Sequence, residues 1–146
     1  MIVQDIVGAK ESQQVATTTA DRTVAEAARQ LHQRRIGALV VVNGTGQIAG
    51  ILSERDIVRG LAQKGVEILG LRVADLMTSA VLTCHPQDSL QTLMATMTAN
   101  RVRHLPVEDD HHRLIGMITI GDVVKARLDE TTHEMDQLRE YVAAPH

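Results

Sequence analysis

One stretch of this chain occurs twice. Gly50-Ile51-Leu52-Ser53-Glu54-Arg55-Asp56 returns 66 residues later as Gly116-Met117-Ile118-Thr119-Ile120-Gly121-Asp122, with the glycine, apolar pair, hydroxyl residue and aspartate in the same register. From Val15 to Ala62 the offset holds without a gap, and eight positions are identical across it: Val15, Thr17, Arg35, Leu39, Val41, Gly50, Asp56 and Val58. A duplication of this kind confines the chain to two like units packed together. A half of about 60 residues would bury only roughly 60% of its unfolded surface, against about 68–70% for a chain more than twice as long. The two copies are therefore expected to share one core.

Local patterns place elements within each copy. Val3-Gln4-Asp5-Ile6 and Val73-Ala74-Asp75-Leu76 are lead-ins of the same form, 70 residues apart. Val15-Ala16-Thr17 and Val81-Leu82-Thr83 read as short strands. Thr23-Val24-Ala25-Glu26 is a capping-box signature, and Val24, Ala27, Ala28 and Leu31 fall on one face of the helix it opens. Ser89 starts the equivalent helix, with Leu90, Leu93, Met94 and Met97 in those positions. Ala38 to Val42 and Gln47 to Leu52 flank the turn formers Asn43-Gly44-Thr45-Gly46, a hairpin pattern. His104 to Glu108 and Leu114 to Ile118 repeat it around Asp109-Asp110-His111-His112-Arg113, which lacks glycine. A helix follows each aspartate, with Ile57, Val58 and Leu61, or Val123, Val124 and Leu128, on one side. Each unit thus reads β-α-β-β-α, an α/β (α+β) chain with a first unit over 1–66, a second over 67–128, and a helical tail over 129–146. Lys64 to Arg72 links the halves, and the tail's Met135, Leu138 and Val142 need an apolar surface to dock on.

Composition narrows the function. There is no tryptophan or phenylalanine and a single tyrosine, Tyr141, so no aromatic platform for single-stranded nucleic acid is available. The net charge of −3 lacks the basic footprint of a nucleic-acid binder. No apolar run approaches the roughly 20 residues needed to span a bilayer, and no signal pattern opens the chain. The single cysteine, Cys84, excludes an internal disulfide and fits a reducing cytoplasm; it reads as a small buried residue. No nucleophile–base set or zinc spacing is visible, so neither catalysis nor a metal is expected. His111-His112 beside Asp109-Asp110 is read as a solvated turn rather than a metal site.

Two tandem units that each carry aliphatic-Gly-aliphatic-aliphatic-(Ser/Thr)-x-x-Asp, together with Arg101-Val102-Arg103-His104-Leu105-Pro106-Val107, resemble a pair of CBS domains, the cystathionine β-synthase motif, forming a Bateman module. The resemblance covers nearly the whole chain. It implies two units related by a pseudo-twofold axis, with sheets packed together and two clefts for adenosine-containing ligands: AMP, ADP, ATP, NAD(H) or S-adenosylmethionine. It also implies a regulatory sensor of an unidentified partner, usually a homodimer. Carried over residue by residue, the first cleft would use Ser53, Asp56, Thr83, Val102, Arg103, His104 and Pro106, with Arg55 approaching from the helix. The second would use Thr119 and Asp122 with Thr17, Ile36, Gly37 and Ala38. Arg103-His104 in one cleft corresponds to Gly37-Ala38 in the other.

The chemistry of these residues leaves two readings open. An ionised Asp56 or Asp122 can accept hydrogen bonds from both ribose hydroxyls, and Ser53 or Thr119 stands at a helix start whose free amides and dipole favour a phosphate. The same Ser-x-x-Asp pattern is also an ordinary helix cap that binds nothing. Arg103 and His104 suit a phosphate, or form a charged, solvent-facing sheet edge. The functional alternatives are accordingly a ligand sensor and a ligand-free dimerisation scaffold.

Overall fold

The computed structural model describes residues 1–10 and 15–144. The two lead-ins open helix α1, Val3–Ala9, and the one-turn helix α4, Val73–Leu76. In both, the aspartate turns back onto the backbone N–H just ahead of the helix: Asp5 accepts from Ile2 at 3.0 Å and Asp75 from Arg72 at 2.9 Å. These bonds satisfy amide donors that a helix start leaves free, so the repeated Val-x-Asp pattern is a helix-start device.

Strand β1, Thr17–Thr18, lies parallel to β2, Ala38–Val42, which pairs antiparallel with β3, Ile48–Ser53. The strand therefore begins two residues later than Val15. In the second half β4, His104–Glu108, pairs with β5, Leu114–Thr119, as a two-stranded sheet. The strand expected at Val81-Leu82-Thr83 does not form; the chain touches β4 through a bridge at Cys84, opposite Val107. The residues just beyond explain this. The His85 N–H is taken by the Asp88 carboxylate at 2.8 Å, and Pro86 has no N–H to offer a ladder.

Helices α2, Val24–Arg34, and α5, Leu90–Asn100, start where the hydroxyl residues predict. Thr23 Oγ1 accepts from the Glu26 N–H at 3.2 Å, and Ser89 Oγ from Thr92 at 3.1 Å. The reciprocal half of the capping box is not made, because the Glu26 carboxylate lies 3.5 Å from Arg22. Both helices end on a left-handed arginine at the same repeat position, Arg35 with φ 54° and Arg101 with φ 53°. The hairpin turns match as well: His112, φ 62°, adopts in the glycine-free loop the conformation that Gly46, φ 80°, adopts in the first.

The buried side chains form two clusters, not the single core expected. Val24, Ala27, Leu31, Leu39, Val41, Leu52, Ile57, Ile68 and Val73 make one. The other comprises Leu90, Leu93, Met97, Leu105, Val107, Ile118, Val123, Ala126 and Cys84, together with Val3 and Ile6 of α1. The halves are joined by exchange instead: the lead-in helix that begins the chain packs into the later half, and α4, ahead of that half, packs into the earlier one. Bridges Ile2–Ser89 and Thr23–Arg72 fix the two exchanged helices in repeat-equivalent places. Between the hairpins, Ile48 N–H donates to His112 at 3.3 Å and Leu114 N–H to Gly46 at 3.1 Å. Each bond is the repeat image of the other, which places the pseudo-twofold axis between Gln47 and Arg113.

Helix α3, Glu54–Lys64, and helix α6, Ile120–Ala143, follow the two aspartates. Ile57 and Gly60, and Val123 and Ala126, face inward. Val58, Leu61, Val124 and Leu128, grouped with the inward residues on periodicity, are exposed, because each lies a residue or two beyond the inward pair and is rotated about 100° per residue away. No glycine or proline stands between Gly121 and Ala144, so the tail continues α6 without a break to Ala143; positions 145 and 146, the end of the tail expected over 129–146, lie outside the described residues. The link between the halves contains a 3-10 helix, Gly65–Gly70, that inserts Ile68, fully buried, into the first core.

Candidate functional site

Ser53 ends β3 and starts α3. Its Oγ accepts from the Asp56 N–H at 3.3 Å, while Asp56 Oδ2 accepts from the Ser53 N–H at 2.9 Å and from its hydroxyl at 3.1 Å. The cap is therefore complete, and the oxygen it uses is Oδ2. The other carboxylate oxygen, Oδ1, stands 3.6 Å from the Arg59 guanidinium. Asp56 is buried, at the positive end of the α3 dipole.

A cavity of about 630 Å³ opens at this helix start, lined by Ser53, Arg55 and Asp56 from the first half and by Val102, Arg103 and His104 from the second. That size accommodates a small-molecule ligand. Arg59 and Arg101 also line it; Arg101 opens the Arg101-to-Val107 motif, but neither arginine was assigned to a cleft from the sequence. Arg59 is three residues after Asp56, one helical turn on the same face, a signal that was there to find. Arg101 reaches the wall because it terminates α5.

Thr83 and Pro106, assigned to this cleft, do not line the cavity. The Thr83 hydroxyl donates to Glu108 at 2.9 Å and Pro106 lies buried within β4; Thr78, Ala80, Val81 and Leu82 form that wall. Gly37, grouped with the second cleft, lines this first cavity. A Cβ on it would stand 3.2 Å from the His104 ring, so the missing side chain gives the imidazole its place. Burial holds His104 below its ordinary value of 6.5, with Arg103 and Lys10 adding to the effect and Glu54 and Asp122 opposing it.

Around the second aspartate, Thr119 and Asp122 repeat the capping box, at 2.9 and 3.2 Å. Asp122 Oδ2 also accepts from Lys10 Nζ at 2.9 Å, a residue absent from the expected set. Of the others assigned there, Thr17 lies on β1 and its carbonyl accepts from Gln30 at 3.0 Å. Ile36 packs against the first core, and Ala38 is buried on β2.

Cys84 is buried, and desolvation, with the charges of Asp88 and Glu108, pushes its thiol up to about 12. His85 and His112 approach Glu108 at 3.3 and 3.5 Å, and among the described residues no group of three His, Cys, Asp or Glu side chains is arranged to hold a metal. No described helix is long and apolar enough to cross a membrane.

The CBS domain family matches this chain twice, over residues 3–63 and 73–129. The chain belongs to the CBS-domain family. Among curated proteins, the mitochondrial CBS domain-containing protein CBSX3 of Arabidopsis thaliana is 39% identical over 85% of this chain and 62% of its own length, so this CBS pair spans less than two thirds of that relative. A CBS-domain containing protein of Agrobacterium tumefaciens superposes with a TM-score of 0.81 at 41% identity, over 86% of this chain and 92% of its own. Two further solved CBS structures hold adenosine compounds. The CBS domain pair of protein MJ0100, in complex with 5′-methylthioadenosine and S-adenosylmethionine, matches with a TM-score of 0.78 at 26% identity, over 89% of this chain and 98% of its own. CBSX2 in complex with AMP matches with a TM-score of 0.74 at 25% identity, over 89% and 98%.

Proposed function

We propose that this CBS pair is a regulatory sensor that binds an anionic adenine nucleotide, of the AMP, ADP, ATP or NAD(H) class, in the cavity at the start of α3. The observation that carries the reading is the convergence of Arg55, Arg59, Arg101 and Arg103 with Asp56 on one cavity. Asp56 Oδ1 is the oxygen left to accept ribose hydroxyls once Oδ2 serves the cap. The arginines and the amide donors of α3 meet the phosphate. Adenine lies among Val81, Leu82 and Val102, aliphatic neighbours in a chain without tryptophan or phenylalanine. S-adenosylmethionine, whose sulfonium is cationic, suits this charge poorly. Binding regulates by favouring one packing of the two halves over another, and a second copy of the chain completes the assembly.

The complete Ser53–Asp56 capping box supports a second reading, a ligand-free scaffold. Thermal unfolding separates them. Under the sensor reading AMP or ATP raises stability by about 2.7 kcal/mol at a hundredfold excess over its dissociation constant, S-adenosylmethionine gives a smaller shift, and Asp56→Ala abolishes both. Under the scaffold reading no nucleotide shifts the transition, and Asp56→Ala costs only a cap's 0.5–2 kcal/mol, roughly.

A further inference from the structure

Among the described side chains on the wall of the first cavity, His104 is the one whose ordinary titration falls between about pH 5 and 8. The fold fixes where its ring sits. Position 104 opens β4 opposite Thr119, and the ring's Cε1 and Nε2 lie 3.2 and 3.3 Å from the point where a Cβ on Gly37 would stand. Gly37 is itself tied to the start of α3, its carbonyl accepting from the Glu54 N–H at 2.9 Å. The ring edge that carries Nε2 is thus held beside the helix start, where the dipole favours a phosphate. The repeat image of His104 is Ala38, so the duplication supplies no second imidazole of this kind.

Desolvation is the largest influence on the ring and keeps it below its ordinary value of 6.5; Glu54 of α3 and Asp122 of α6 act against this, Arg103 ahead of β4 and Lys10 beyond α1 act with it. Lys10 and Asp122 are bonded to each other at 2.9 Å, so their charges largely offset. On the cavity wall Arg55, Arg59, Arg101 and Arg103 outnumber the carboxylates of Glu54 and Asp56. A phosphate that enters among these arginines cancels positive charge that opposes protonation and adds negative charge to the wall the imidazole shares.

We propose that His104 couples nucleotide binding to proton uptake: the phosphate draws one proton from solvent onto this imidazole, so the module senses acidity together with nucleotide. The inference rests on the nucleotide reading of the first cavity. The coupling is reciprocal, and acidification tightens binding by up to about tenfold per pH unit for one coupled proton. The phosphate itself has the opposite sign. Arginines favour its dianion, so a monoanion that binds among them gives up a proton.

The test is calorimetric titration of AMP into the full chain at pH 6.0 and 7.5, in buffers of different ionisation enthalpy so that the heat reports the protons exchanged. At pH 6.0 the wild type is expected to take up more protons per AMP than His104→Gln, and to gain more affinity than that variant on going from pH 7.5 to 6.0. Equal proton counts, with AMP bound by both, overturn the role of His104 and leave the nucleotide reading of the cavity standing. No AMP binding by the wild type at either pH overturns that reading and this coupling with it. A second measurement needs no variant to fold. Of the seven histidines, the ring assigned to His104 through its proximity to Gly37 is followed by NMR against pH; its midpoint is expected to be higher with AMP than without, and an unchanged midpoint with AMP bound overturns the proposal.

Discussion

His104 replaces in the second half the alanine that stands at position 38 in the first, and its ring fills the space left open by Gly37. Because desolvation lowers its affinity for a proton below the ordinary 6.5, the unfolded chain binds that proton more readily than the folded one. Stability is therefore fully present above about pH 6.5 and is lost as the pH falls through the depressed value. Urea unfolding at pH 7.5 and 5.5 is expected to show a larger loss in the wild type than in His104→Gln; equal losses would remove His104 from the account. The basic and imidazole character of Arg103-His104 was legible as a motif. That Gly37 belongs beside them was not, because its role is to be absent from a space defined by a residue 67 positions away.

At the scale of elements, the repeated glycines of β3 and β5 answer to different neighbours. A Cβ on Gly50 would come within 2.7 Å of Met77 Sδ and 3.0 Å of the Thr78 carbonyl, whereas one on Gly116 would meet Val7 at 3.3 Å. Thr78 exchanges backbone bonds with Ile51 at 2.9 and 3.0 Å, and backbone bonded to the strand cannot retreat as a valine side chain can. Gly50→Ala is expected to destabilise by about 1–3 kcal/mol, the range of overpacking, and Gly116→Ala by clearly less. Denaturant midpoints of the two variants check this, and equal costs would mean that the Thr78 bridge yields freely. The helix starts were legible because their caps span three residues. The strand at Val81-Leu82-Thr83 was misread because His85, Pro86 and Asp88 turn the chain away beyond it.

For the whole molecule, the exchanged α1 makes the second half depend on a segment distant from it in sequence, and α6 carries an apolar stripe outward. Val124, Leu128, Met135, Leu138 and Val142, with Thr131 between, follow the alternating spacing of four and three that lets two helices pair, and the five aliphatic side chains are exposed. Over 24 residues the helix is about 36 Å long, enough for several turns of contact with a second copy. Sedimentation is expected to give a dimer for the wild type and a monomer for Leu128→Glu with Leu138→Glu. A monomeric wild type at micromolar concentration would remove the pairing surface.

By itself the sequence determined the duplicated α/β units, the helix starts, the hairpins and the paired Ser/Thr-x-x-Asp motifs. Each of these is written within a few neighbouring residues, through periodicity, turn chemistry and caps, and the 66-residue offset confirms it by repetition. The tertiary structure decided the exchange of α1, the separation into two cores, the entry of Arg59 and Arg101 into the cavity in place of Thr83 and Pro106, and the seating of Lys10 on Asp122. Those depend on which surfaces meet, and a contact such as Lys10 to Asp122, 112 residues apart, leaves no local pattern because it exists only once packing has brought the two ends together.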